Sequence, residues 1–170
     1  MKKELLQKLF KIKLFLFDLE GVLLQNADSL TETSLLDFVE EIKKAASEFD
    51  KRDLMMGIVT ARQFDGIIEK LIIIKNCKVF PGSVEKIKVV ENYLQEIKIN
   101  FENVFYIGDE VLDIPLLMKC GISAAPKSAI RDVKRIVNFS FAAINAKNLF
   151  DELILNVDKS RTLAGFHFNP

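Results

Sequence analysis

The stretch VFYIGDEVLDIPLLMKCGISAAP, residues 104–126, compresses a whole crossover into one short segment. Val104 to Ile107 is an apolar run of strand composition, and Gly108 with the acids after it breaks that run. Val111 to Lys119 has helical spacing, and Ile122 to Ala125 is a second apolar run that Pro126 closes. A strand, a helix and a strand in so few residues form a parallel unit with a right-handed connection. The same alternation extends in both directions. Upstream, strands are expected at Lys13 to Phe17, Met55 to Val59 and Lys78 to Phe80. Helices are expected at Leu30 to Phe49, Arg62 to Ile74 and Val84 to Ile97. Downstream, a helix from Ser128 to Lys134, a strand near Ile136 to Phe139 and a helix from Ala146 to Val157 complete the pattern. This predicts an α/β fold, a doubly wound parallel sheet of Rossmann-like form covered on both faces. Ligands in such folds bind beyond the carboxyl ends of the strands.

Composition narrows the partners. The chain has 170 residues with 24 basic and 24 acidic side chains, and 49% of it is apolar. One domain spanning 1–170 fits that length, with residues 158–170 (DKSRTLAGFHFNP) expected as a C-terminal tail because they show no clear period. Zero formal charge argues against nucleic acid or a membrane surface as partner. No apolar run reaches the roughly 18 residues of a bilayer span. The basic start MKKELLQKLFKIKLFLF is interrupted by Glu4, Gln7, Lys8, Lys11 and Lys13, so it reads as mature chain and the expected location is cytoplasmic. Cys77 and Cys120 are expected to be free thiols.

Chemistry should stand just after each strand. After the first comes Asp18-Leu19-Glu20-Gly21, with two carboxylates at a spacing that sends both to one side. After the second comes Thr60-Ala61-Arg62, where the hydroxyl can cap a helix, receive phosphate, or do both. After the third, Pro81-Gly82-Ser83 leads to Lys86 in the first turn of a helix. A cation there opposes the helix dipole and calls for an anion or for solvent. Lys88 is rejected, because two helical positions turn it roughly 200° away. After the fourth come Asp109, Glu110 and Asp113, either an acidic first turn or a ligand set.

In that order the four segments FDLEGVL, IVTAR, the lysine of GSVEKIK, and YIGDEVLD resemble the four motifs of the haloacid dehalogenase superfamily of phosphohydrolases, over residues 12 to 125. Within it, NVFYIGDEVLDIPLLMKCGISAAPKSA is similar to the corresponding segment of the capless 3-deoxy-D-manno-octulosonate 8-phosphate phosphatase subfamily. A receiver domain, which also combines Asp, Thr and Lys, would place its phosphoacceptor after the third strand, where this chain has Pro81 and Gly82.

The resemblance implies Mg²⁺-dependent hydrolysis of a small-molecule phosphate ester through an aspartyl-phosphate. Asp18 would be the nucleophile and Glu20 the acid and base. Thr60 and Ala61 with Lys86 would bind phosphate, and Mg²⁺ would be held by Asp18, the Glu20 carbonyl and Asp109, with Asp113 supporting the metal or orienting Lys86. Glu110 is not assigned.

Three departures from the subfamily stand out. Glu20 replaces its Asp. The segment VLLQNADSLTETS is shorter than its hairpin, and FSFAAINAKNLF, residues 139–150, replaces its Gly-Gly-x-Gly run. There is no room for a cap domain after Glu20 or after Thr60, so closure by a homo-oligomer, a tetramer by resemblance, is expected. The alternative is a catalytically weak relative acting as an oligomeric binding or regulatory module. His167, the one histidine, lies outside every motif and reads as part of a mobile or oligomer-contacting end.

Overall fold

The computed structural model describes residues 1–25, 30–142 and 145–165. Six parallel strands form one sheet in the order β3-β2-β1-β4-β5-β6. They are β1 (Leu14–Phe17), β2 (Met55–Val59), β3 (Cys77–Phe80), β4 (Val104–Ile107), β5 (Ile122–Pro126) and β6 (Phe139–Phe141). From β1 the chain winds outward to β2 and β3, then returns to the other side of β1 as β4. The reversal opens a crevice between the β1 and β4 ends.

Alternation along the strands builds two cores. Phe15, Phe17, Phe105 and Ile107 face α1 (Lys3–Leu9), α2 (Glu32–Asp50), α3 (Gly66–Ile72) and α7 (Ala146–Leu163). Leu14, Leu16, Val104 and Tyr106 face α4 (Lys86–Ile97), α5 (Ile114–Lys119) and α6 (Arg131–Ile136). All four β1 residues are fully buried, so an apolar side chain is required at every position and a one-residue slip would exchange the faces.

Several boundaries differ from the sequence expectation. The first helix, α1, was not expected; Leu6 and Leu9 bury one stripe of it. The α3 helix begins at Gly66, four residues later than expected, because Asp65 caps it with bonds from Ile67 N and Ile68 N. The α4 helix starts at Lys86 itself. Val111–Asp113 is a 3₁₀ turn before α5, with Pro115 in the first turn. The α6 helix runs Arg131–Ile136, so Ile136 ends a helix and the following strand shifts to Phe139–Phe141. The last helix continues to Leu163 and absorbs much of the expected tail, because Val157 and Ser160 keep its stripe buried. His167 lies outside the described residues, as does part of VLLQNADSLTETS. Among the described residues, no helix is long and apolar enough to cross a membrane.

Candidate active site

The C-terminal ends of β1 to β4 bring the expected residues together. Asp18 follows β1, and its amide donates to the carbonyl of Ile107, the last residue of β4, extending the ladder one step beyond β1. One of its oxygens, Oδ1, accepts from Leu19 N at 2.7 Å and sits 2.8 Å from Lys86 Nζ. Lys86 Nζ also lies 2.6 Å from Asp113 Oδ1. The cation at the start of α4 therefore has its compensating anions, two of them, and all three side chains are buried. Lys88, by contrast, pairs with Glu85 in solvent.

Asp113 is held from every side. Its Oδ1 accepts from Lys86 and from the Tyr106 hydroxyl, and its Oδ2 accepts from the amides of Asp109 and Glu110. A carboxylate has about four acceptor positions, and here all are used. Gly108 makes this possible, because a Cβ there would come within 2.4 Å of Asp113 Cγ. Glu110 turns into a reciprocal capping box with Asp113 and stays on the surface of the turn.

Asp109 is the opposite case. Its Oδ1 is buried and, among the described residues, has no hydrogen-bond partner. Gly21, at φ +78°, lays the first loop against it so closely that a Cβ would sit 1.9 Å from Asp109 Oδ2. Oxygens of Asp18, Asp109 and Asp113 lie within 4.8 Å of one another. Burial, and after it the Asp113 charge, pushes the Asp18 pKa from 3.8 up to about 7 against the pull of Lys86. Burial and the charge of Asp18 push Asp109 up to about 7 as well. Three buried acids share one lysine. An oxygen-liganded divalent cation fits this donor set, and the orphaned Asp109 Oδ1 is the atom that most needs one.

Thr60 is fully buried, and its Oγ1 accepts from Arg62 N at 3.0 Å. The helix expected after it starts only at Gly66, so Thr60 caps no helix and its O–H remains available to donate. Ala61, beside it, is half-buried. Glu20 is different from the rest: its side chain is 46% exposed and pairs with Arg62 Nη1 at 2.5 Å.

Two contributors were not foreseen in the sequence. Tyr106 is fully buried and steadies Asp113; the one polar residue inside the run VFYI was the available signal, since a buried phenol needs a partner. Arg62 holds Glu20, and no local pattern announces a contact 42 positions apart. The Cys77 thiol is buried, with its pKa pushed up to about 12, and both cysteines are free.

A family model for haloacid dehalogenase-like hydrolases matches residues 73–151. The chain is 25% identical over 133 residues to 3-deoxy-D-manno-octulosonate 8-phosphate phosphatase of Escherichia coli, covering 74% of this chain and 68% of that one. The solved structure of the Moraxella catarrhalis enzyme of that name, in complex with magnesium, phosphate and KDO, has a TM-score of 0.77 at 13% identity, covering 97% of this chain and 98% of that one. The cobalt-bound Haemophilus influenzae deoxy-D-mannose-octulosonate 8-phosphate phosphatase has a TM-score of 0.75 at 22% identity, covering 91% and 92%.

Proposed function

We propose that the chain is a haloacid dehalogenase-like phosphatase that hydrolyses a small phosphomonoester through a phosphorylated Asp18, a reading supported by the family match over residues 73–151 and by the 25% identical curated relative. The observation that carries this reading is the buried Asp18–Lys86 pair beside the unpartnered Asp109 Oδ1.

An oxygen of Asp18 attacks phosphorus in line with the ester oxygen, and the phosphorus bond to that oxygen breaks. Glu20 gives its proton to the leaving alkoxide. Water then attacks the aspartyl-phosphate, losing a proton to Glu20 and releasing inorganic phosphate, so both carboxyl groups return to their starting forms. Lys86 offsets the charge that gathers as an anion approaches a dianion. The Thr60 hydroxyl and the backbone at Ala61 would donate to phosphoryl oxygens, where preorganised donors act most strongly. Asp18, Asp109 and the Glu20 carbonyl would hold Mg²⁺, which supplies charge neutralisation between nucleophile and phosphate. Asp113, whose acceptor positions are taken within the protein, acts by fixing Lys86 and the β4 loop.

For the substrate, the KDO- and phosphate-bound relative supports a sugar or sugar-acid phosphate. Phe64, Val84, Val111 and Leu112 are exposed on the segments that follow β2, β3 and β4, which supports closure of the open mouth by a further copy of the chain. A second reading, the catalytically weak binding module, is favoured by the glutamate at position 20, whose side chain is 46% exposed. Purified protein with Mg²⁺ should release phosphate from an aryl phosphate, and Asp18→Asn should abolish this. Equal turnover by both would sink the nucleophile, and inactivity over a broad phosphate panel would favour the second reading.

A further inference from the structure

Among the described residues, the strand-end loops carry a second cation between two acids. Arg62 Nε and Nη2 both bind Asp65 Oδ2 at 2.6 Å, while Nη1 reaches Glu20 Oε1 at 2.5 Å. Asp65 is itself fixed, since its Oδ1 caps α3 by accepting from Ile67 N and Ile68 N. The Arg62 backbone is tied at both ends, its N–H to Thr60 Oγ1 and its C=O to Gly82 N. Arg62 thus joins the β1 loop to the β2 loop and the start of α3 through its guanidinium, and reaches the β3 loop through its carbonyl, which accepts from Gly82 N.

We infer that Arg62, anchored on Asp65, is a positioning residue that fixes the carboxyl of Glu20 over the site. The inference rests on the assignment of Glu20 as the proton donor. The physical need is particular to this chain. Glutamate has one more rotatable bond than aspartate, and a proton donor must be held to within a fraction of an ångström of the ester oxygen. A planar fork with two nitrogens on one acid and the third on another supplies that restraint, which the single ammonium of a lysine cannot. Glu20 is close to half exposed and would otherwise be free to rotate in water. During phosphoryl transfer it hands its proton to the oxygen leaving phosphorus, and the resulting carboxylate is then fully matched by the guanidinium that already holds it.

The test compares esters that differ in their need for a proton. Loss of kcat/KM reports the steps up to phosphoryl transfer. An aryl phosphate with a stable phenolate leaving group needs little protonation, whereas an alkyl phosphate needs it fully. Arg62→Ala should lower kcat/KM for the alkyl ester by about tenfold or more beyond any loss on p-nitrophenyl phosphate, within the range of general acid catalysis. Arg62→Lys should recover little, and KM for the aryl ester should hardly move. Made in a Glu20→Ala background, Arg62→Ala should add nothing further to the alkyl-ester deficit. Asp65→Asn keeps the helix cap but loses the ionic anchor, and should reproduce the ester discrimination even if Arg62→Ala folds poorly. Equal losses on the two esters, additivity with Glu20→Ala, or a gain in activity would each overturn the inference. Asp18→Asn separates the levels: turnover that survives it, or an inactive wild type, overturns the underlying phosphatase reading and this inference with it. Abolished turnover in Asp18→Asn together with additive Arg62 and Glu20 effects overturns the positioning role alone.

Discussion

Two buried cations in this molecule each sit between two carboxylates, at opposite edges of the sheet. Just before β2, Arg52 binds Asp158 through Nε and Nη2 at 2.8 and 2.9 Å and Glu48 through Nη1 at 2.7 Å. It also donates to the Glu48 carbonyl, and Arg161 donates to the Arg52 carbonyl. That set clamps the end of α7 to the end of α2. Its acids reach solvent, and its electrostatics are settled: hydrogen bonds from Lys51 and Arg52 lower the Glu48 pKa, and the bond to Asp158 raises that of Arg52. At the other edge Lys86 is shared by Asp18 and Asp113, with Asp109 close by, and there Asp18 and Asp109 are pushed up and, among the described residues, one oxygen of Asp109 is left without a partner. Similar components thus serve architecture where charges are matched and, in the function proposed above, chemistry where they are not. A buried mismatch is costly, so it persists where a ligand corrects it.

The sharpest way to break that contrast is to remove the nucleophile. Asp18→Asn should cut phosphate release by about a thousandfold or more while leaving the circular dichroism spectrum unchanged. Arg52→Ala should do the reverse. It should destabilise the fold by about 2 kcal/mol, less than a fully buried pair because Glu48 and Asp158 reach solvent, and kcat/KM should stay within about twofold of wild type. Thermal melts would show a drop of about 4 to 8 °C, and a loss of activity per folded molecule would refute the separation.

A third test uses pH. Asp18 and Asp109 keep their protons to about 7 in the folded chain against 3.8 ordinarily. Between those values the folded state binds more protons than the unfolded state. Stability of the metal-free protein is therefore greatest, as far as these groups decide it, below pH 4 and falls as pH rises through 7. Mg²⁺ should raise the melting temperature more at pH 8 than at pH 5, and an equal shift at both would argue against a cation on these acids. The smallest effect expected is that of Tyr106→Phe, which removes one donor from Asp113: about 1 kcal/mol of stability and less than a tenfold fall in kcat/KM, read in the same assays.

Much of this arrangement was legible in the sequence. Each apolar strand is short, the acids, the threonine and the lysine follow the strands in order, and the parallel alternation puts every one of them at the same edge. Asp18, Thr60, Lys86, Asp109 and Asp113 do gather there. The errors lay at helix boundaries, where local chemistry competes. Thr60 resembled a cap, but Asp65 does the capping and Thr60 binds Arg62 N. Ile136 has strand composition, yet it ends α6 while Phe139 and Phe141 continue the sheet.

What the sequence determined by itself was the alternation of strands and helices, and with it the edge where the chemistry lies, because apolar periodicity and strand-end residues are local properties. The tertiary structure decided how the charges are divided. Asp113 is saturated and Asp109 is not, Lys86 serves two acids, and Glu20 rests on Arg62 42 positions away. Those outcomes depend on distances between loops that meet only because the strand order reverses between β1 and β4, and on burial that makes each unmatched charge count.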